Sequence, residues 1–122
     1  MNNVWVGSNN GLFKIKANGG IEDYAAKFGA AKSFASSFVR TIFEDHSGNI
    51  WVGFENGGAA YISSKTDMPI AVTAGEGKEG VFGSTIYSVA EYPLNTIWIG
   101  SESGLTKLVL PAFSVVRASR GP

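Results

Sequence analysis

The residues that could do chemistry in this chain are few, and they form no recognisable catalytic centre. The single histidine, His46, has no cysteine and no second histidine with which to bind zinc. Glu44 and Glu91 occupy equivalent positions in two copies of a repeat, and paired carboxylates can act as acid and base on a sugar. A structural motif also places the same residue type at equivalent positions of its copies, so the repetition does not by itself indicate catalysis. We therefore interpret His46 as a solvated turn residue and expect no catalysis from the carboxylate pair.

Serines and glycines form no nucleophile or phosphate motif. Gly-x-Ser-x-Gly is absent, and the serines at 101 and 103 lie in a repeated glycine turn. The glycine-rich stretch 75–80 lacks the strand-to-helix context of a nucleotide-binding loop, so we interpret it as a mobile linker. The sequence thus predicts no enzyme activity, no cofactor and no metal.

Composition narrows the class of protein. Ten basic and ten acidic residues balance to zero net charge, without a basic run, which argues against nucleic-acid binding. Hydrophobic residues make up 44% of the chain and charged residues 16%, enough apolar surface for a packed core. No export signal is visible, and no run of about 18 apolar residues predicts a membrane span. We expect a soluble segment without membrane contact.

A repeat containing tryptophan organises the chain. Its three copies begin with Trp5-Val6-Gly7, Trp51-Val52-Gly53 and Trp98-Ile99-Gly100, and a second glycine follows each triplet at Gly11, Gly57 and Gly104. The tryptophans are 46 and 47 residues apart, and the residues ten positions after them, Ile15, Tyr61 and Leu108, are expected to be equivalent. Because the tryptophans and glycines hold fixed places in the repeat, we interpret them as structural residues.

Strand patterns surround each triplet. Alternating segments at 39–44 and 86–91 precede the second and third copies, and weaker strands follow the copies at 21–24, 70–73 and 113–116. Four short antiparallel strands at a period in the forties indicate a propeller blade. The sequence therefore predicts an all-β partial β-propeller of about two and a half to three four-stranded antiparallel blades. Their intervals are 3–36 (incomplete), 37–83 and 84–117, followed by a tail at 118–122.

Two further regions bear on this interpretation. The alanine-rich stretch from residue 24 to residue 38 fits a helical turn or a long connection equally well. Arg40 and Tyr87 share one position on the innermost strand, where a side chain can face the ring axis and reach a ligand. They are the candidate ligand-binding residues.

The run from Phe38 to Gly53, continuing through Asn56-Gly57-Gly58, resembles the two-component regulator propeller repeat. Its pattern is Val-Arg-x-Ile, then acidic-Asp-x-x-Gly-Asn-Ile-Trp-Ile-Gly, then a glycine turn. The third copy departs from it, with a Tyr-Pro-Leu-Asn turn at 92–95 and Tyr87 in place of the arginine, and the first copy lacks its innermost strand. The resemblance implies a bacterial periplasmic sensor segment of a hybrid histidine kinase, binding an oligosaccharide-like ligand without covalent chemistry. Kinase and DNA-binding modules would lie elsewhere.

Several alternatives stay open. A ring requires roughly four to eight blades, so we expect either further blades on a longer chain or self-association of copies. A protein-interaction scaffold is the second functional hypothesis. A propeller lyase or hydrolase fragment is the third and least favoured, since it would need histidines and carboxylates from other blades.

Overall fold

The computed structural model describes residues 3–24, 38–67, 69–72, 85–110 and 114–120. These residues form three antiparallel sheets. Sheet 1 contains β1 (Val4–Ser8), β2 (Gly11–Ile15) and β3 (Ile21–Asp23). Sheet 2 contains β4 (Val39–Glu44), β5 (Ile50–Phe54), β6 (Ala59–Ile62) and β7 (Pro69–Val72). Sheet 3 contains β8 (Ile86–Glu91), β9 (Thr96–Ser101), β10 (Gly104–Val109) and β11 (Ser114–Arg120).

Each sheet is a meander in which neighbouring strands follow chain order. The all-β prediction is confirmed, and three successive meanders are consistent with a propeller fragment. None of the described residues belongs to a helix long and apolar enough to span a bilayer. Most of the alanine-rich stretch and all of the predicted linker at 75–80 lie outside the described residues. The helical turn, the long connection and the mobile linker therefore stay predictions.

The end of sheet 3 corrects one predicted boundary. The tail was expected to begin at residue 118, but β11 continues through Arg120 and pairs with β10 as far as Gly104. Pairing along the whole of β10 satisfies backbone N–H and C=O groups that would otherwise lie unpaired at a sheet edge. This pairing does not depend on the side-chain pattern from which the boundary was predicted. The intervals 3–36 and 37–83 contain sheets 1 and 2, and their exact limits stay a prediction.

A second correction concerns the register after the tryptophans. Trp5 pairs with Lys14 and Trp98 with Lys107, nine positions on, whereas Trp51 pairs with Tyr61, ten positions on. The expected equivalence of Ile15, Tyr61 and Leu108 is therefore wrong by one residue in sheets 1 and 3. The turn of sheet 2 is one residue longer, and its closing residue is Gly58 (φ 73°), whose carbonyl accepts a bond from the Phe54 amide. Gly58, rather than Gly57, occupies the place of Gly11 and Gly104.

Two apolar cores hold the three sheets together. One joins sheets 1 and 2 and contains, among others, Leu12, Tyr24, Ile50, Val52 and Phe54. The other joins sheets 2 and 3 and contains Trp51, Ala59, Ile86, Ile97, Ile99 and Leu108. Trp51 is fully buried and tilts against the Tyr61 ring at 4.7 Å, whereas Trp5 and Trp98 are half-buried. The tryptophan face of one sheet thus packs on the aliphatic face of the next.

The glycine after each tryptophan allows this close packing. A Cβ on Gly53 would lie 2.6 Å from the Cβ of Ile86 in sheet 3, and Gly7 meets Val39 of sheet 2 in the same way. Real Cβ atoms do not approach so closely, so a side chain at either position would push two sheets apart.

A buried carboxylate organises the turn before β5. Asp45 is 4% exposed and accepts bonds from the Ser47 and Asn49 amides, each at 2.9 Å. Its second oxygen accepts the Asn49 side-chain amide and the Trp51 indole N–H, each at 3.0 Å. The prediction that Asp45 bonds the backbone of its own turn is confirmed, and this acid also fixes the tryptophan.

Candidate functional site

The candidate ligand-binding residues lie where the innermost strands leave their regular register. Val39 pairs with Phe54 and Thr41 with Gly53, so Arg40 is the extra residue of a bulge in β4. Ile86 pairs with Ser101 and Ser88 with Gly100, so Tyr87 is the extra residue of a bulge in β8. Bulges re-aim a side chain out of the alternating strand pattern. The same irregularity thus presents both predicted residues.

Arg40 and Tyr87, which the sequence placed only at equivalent positions, are in direct contact. The guanidinium carbon of Arg40 lies 5.1 Å from the centre of the Tyr87 ring. Its Nη1 donates a hydrogen bond of 2.7 Å to Oε1 of Glu55, and the two groups form an ion pair. A guanidinium has five N–H donors, so most of them stay available to a bound molecule.

This Arg40–Glu55–Tyr87 cluster is accessible. Tyr87 is 52% exposed, and the Arg40 and Glu55 side chains are 39% and 37% exposed. The opposite charges of Arg40 and Glu55 compensate each other, so the cluster offers donors, acceptors and an aromatic ring without a strong net field. Such a surface suits a polar, mostly neutral ligand more than a polyanion.

The turns beside the cluster are tied across two sheets. The Glu55 amide donates to the Phe38 carbonyl at 2.8 Å, and in sheet 3 the Glu102 amide donates to the Thr85 carbonyl at 3.3 Å. The Asn56 amide donates to Oγ1 of Thr85 at 3.1 Å, which links the sheet 2 turn to the start of β8. The bond from Asn56 to Thr85 thus connects the turn beside Arg40 to the start of the strand that carries Tyr87. Sequence reasoning missed Glu55 as a member of the cluster, and its only signal is its place in the turn after the tryptophan strand.

His46 is an exposed turn residue, as predicted, and it also contacts a carboxylate of the next sheet. Its ring is exposed, but Nδ1 lies 2.6 Å from Oε2 of Glu91 in sheet 3, and its amide donates to Oε1 at 2.9 Å. Glu91 also accepts the Asn95 amide at 2.7 Å, and its side chain is 6% exposed. Burial alone raises the pKa of Glu91, but the bonds from Asn95 and His46 outweigh it and lower the pKa. The pair is a polar link between sheets 2 and 3.

The same link contains a serine beside the histidine. Oγ of Ser47 lies 3.4 Å from Nε2 of His46, so His46 contacts Ser47 through one ring nitrogen and Glu91 through the other. That separation exceeds the hydrogen-bond reach of about 2.6–3.2 Å expected between a nucleophile and its general base. Among the described residues, no group of three or more histidines, cysteines or acids could hold a metal ion.

Comparison with known proteins agrees with the sequence resemblance. A family model described as "Two component regulator propeller" matches residues 33–56, which include β4, the Asp45 turn and β5. No curated protein matches the chain significantly. The matched segment contains Arg40 and Glu55 of the cluster. Residues 33–56 are therefore similar to the two component regulator propeller repeat, as the sequence resemblance indicated.

Proposed function

We propose that this chain is part of the sensor propeller of a two-component signalling protein and binds an oligosaccharide-like ligand without covalent chemistry. The observation that supports this most directly is the contact between Arg40 and Tyr87 at two equivalent bulges. Unused guanidinium donors, the Glu55 carboxylate and an exposed ring are the groups that recognise sugar hydroxyls and ring faces. The chain itself would catalyse no reaction, and any kinase would lie in other modules.

In this proposal the three sheets are successive blades, each four-stranded when complete. Sheets 2 and 3 have four strands among the described residues, and sheet 1 has three. Further blades on a longer chain, or other copies, would complete the ring. A periplasmic location follows from the family resemblance and rests on that alone.

The test is a titration of the whole chain with defined neutral and acidic oligosaccharides. Calorimetry measures the affinity, and backbone amide NMR shifts locate the binding site. We expect reversible, saturable shifts centred on residues 38–41, 55–56 and 85–88, with no product formed. Arg40→Ala should weaken binding by about tenfold or more, since a bond to a charged group is lost. Arg40→Lys should recover little, because it keeps the charge but loses the planar fork.

Two matched variants control this experiment. Tyr87→Ala should weaken binding, whereas Tyr92→Ala, which removes a 78% exposed tyrosine from a turn of sheet 3, should not. Lys65→Ala removes an exposed cation away from the cluster and should also be neutral. Equal loss of affinity in all variants, or shifts away from the three segments, would place the ligand elsewhere.

A protein-interaction scaffold is the second candidate, favoured by the exposed apolar side chains of sheet 3. Tyr87, Tyr92, Leu94 and Leu105 are 52%, 78%, 67% and 44% exposed. Large exposed apolar side chains can belong to protein contact surfaces. Binding of a protein partner that is unaffected by saturating oligosaccharide and lost in Leu94→Asp would favour this function.

A further inference from the structure

The turn after each tryptophan strand carries a residue whose side chain is used differently in sheets 2 and 3. This place is held by Asn9 in sheet 1, Glu55 in sheet 2 and Glu102 in sheet 3. In sheet 3, Oε1 of Glu102 accepts the Thr85 amide at 3.0 Å. In sheet 2, Oε1 of Glu55 instead accepts a bond from Nη1 of Arg40 at 2.7 Å. The same turn position thus bonds the backbone in one sheet and a candidate ligand-binding side chain in the other.

The backbones of the two turns are alike, so the difference lies in the side chains. The amide of each glutamate donates to the carbonyl two residues before the bulge of its own innermost strand. The bulge residue is Arg40 in sheet 2 and Tyr87 in sheet 3. Because a tyrosine carries no positive charge, only Glu55 has a cation at the bulge of its own sheet.

The pair of Arg40 and Glu55 uses only part of what each group offers. One hydrogen bond joins them, whereas a guanidinium and a carboxylate that meet as a fork make two. In the described part of the chain, the Glu55 carboxylate has no second hydrogen-bond partner. Both side chains are accessible to solvent. A bound sugar can therefore contact donors of Arg40 and acceptor sites of Glu55 at the same time.

Neutral and acidic sugars should respond to Glu55 in opposite ways. A sugar hydroxyl donates to a carboxylate oxygen, and hydrogen bonds to a charged acceptor are stronger than those to a neutral one. A uronate carboxylate would instead bind the guanidinium of Arg40, where it would lie beside the like charge of Glu55. Like charges that meet across a binding surface suppress the wrong partner. Glu55 thus strengthens the binding of a neutral sugar and weakens that of an acidic one.

We propose that Glu55 is the specificity-determining residue of the cluster, which accepts neutral oligosaccharides and rejects those that carry uronates. This inference rests on the proposed sugar binding and goes beyond it, because it assigns the charge class of the ligand to one side chain. Arg40 keeps the capacity to bind a carboxylate, and Glu55 masks that capacity. Removing the charge of Glu55 therefore exchanges one class of sugar for the other.

The test compares two ligands with the same sugar chain, tetragalacturonate and its full methyl ester, on the intact protein. Calorimetry measures the affinity of each ligand for the parent and for Glu55→Gln, whose amide keeps the shape of the carboxylate. The parent should prefer the ester. Glu55→Gln should bind tetragalacturonate about fivefold more tightly than the parent does, the upper end of the effect of an exposed charge pair. It should bind the ester more weakly than the parent does.

Two further variants control this test. Glu102→Gln removes the same charge from the equivalent turn and leaves the pair of Arg40 and Glu55 in place. Its amide oxygen can still accept the Thr85 amide, so the preference for the ester should stay that of the parent. Arg40→Ala combined with Glu55→Gln should cancel the gain for tetragalacturonate, because the two residues are coupled. The gain should also shrink as the salt concentration rises, since salt screens exposed charges.

Two results would overturn the inference, and they differ in what they say about sugar binding. One is an unchanged ratio of the two affinities in Glu55→Gln, including an equal loss of both. Sugar binding would then stand, and Glu55 would be assigned to the shape of the turn. The other is the absence of binding of either ligand to either protein. In that case the proposed sugar binding itself fails, and the specificity inference fails with it.

Discussion

The two junctions between the sheets share an apolar design but differ in their polar links. At each, the tryptophan face of one sheet packs on the aliphatic face of the next, and a glycine allows the approach. Between sheets 1 and 2, Asp67 accepts the Tyr24 hydroxyl at 2.7 Å and pairs with Lys14 at 3.4 Å. Between sheets 2 and 3, Glu91 instead binds His46. The acid comes from a loop in one junction and from a strand end in the other.

The difference shows which part of the structure the repeat encodes. The apolar contacts recur because the Trp-x-Gly triplet recurs, and each copy provides both a tryptophan face and an aliphatic face. The polar links depend on side chains that the other copies do not repeat, such as His46, the single histidine of the chain. We therefore expect the largest energetic effects from the shared apolar layer and progressively smaller ones from the links.

Removing the buried tryptophan should produce the largest effect. Trp51→Ala leaves a void between sheets 2 and 3, and the usual penalty for such a truncation is about 3–5 kcal/mol of unfolding free energy. Trp98→Ala is the matched control, because Trp98 is only half-buried and should cost clearly less. Chemical denaturation measures both. Equal losses would mean that Trp51 is not at the centre of the junction.

The sequence was informative about the sheets because each repeat carries its own signals. The weak final strands were predicted at 21–24, 70–73 and 113–116, close to the observed β3, β7 and β11. The register error in the second turn arose because Gly57 and Gly58 are adjacent, and only backbone geometry shows that Gly58 closes the turn. Local pattern thus located the strands but not the exact turn length.

The candidate site was less accessible to sequence reasoning. Arg40 and Tyr87 were selected as equivalent positions, and the structure places them in contact, but their role in ligand binding stays a prediction. Glu55 and the pairing of His46 with Glu91 were missed, since both contacts depend on which turns approach each other in space. A repeat pattern predicts equivalent places and does not predict which neighbours meet across a junction.

The buried turn acid should give the second-largest effect. Asp45→Ala leaves the Trp51 and Asn49 donors without their acceptor, and one buried donor left unsatisfied costs about 1–3 kcal/mol. Tyr92→Ala, at the equivalent position in sheet 3, should be nearly neutral because the acceptor there is the backbone carbonyl. If denaturation found the two variants equally destabilised, the carboxylate would not be what holds the turn.

The link between sheets 2 and 3 should make stability depend on acid pH. The folded state lowers the pKa of Glu91 below the ordinary value of 4.5, so its stabilisation is present above that value. It is lost as the pH falls through the lower, folded-state pKa. Glu91→Gln should cost about 0.5–1.5 kcal/mol at neutral pH, the net value of a typical hydrogen bond.

The control for this pH dependence is Glu44→Gln, which alters the equivalent carboxylate, for which the described residues contain no partner. Denaturation midpoints of the parent and Glu91→Gln should converge as the pH falls below 4.5, whereas Glu44→Gln should follow the parent throughout. A constant difference between the parent and Glu91→Gln down to the lowest pH would assign the loss to packing instead of charge.

The smallest effect should come from the link between sheets 1 and 2. The Asp67 side chain is 46% exposed, and its positive φ of 60° is a backbone conformation that asparagine also tolerates. Asp67→Asn should therefore change the free energy of unfolding by less than about 1 kcal/mol.

The same substitution should have a clearer effect on the titration of Tyr24. Burial raises the pKa of Tyr24, and the bond to Asp67 raises it further, so Asp67→Asn should lower that pKa toward its ordinary value. Tyrosine ring NMR across alkaline pH measures this, with Tyr61, whose pKa is raised by burial and by Asp45, as the tyrosine that should not respond. An unchanged Tyr24 titration would show that burial alone sets it and that the hydroxyl contact contributes nothing to the junction.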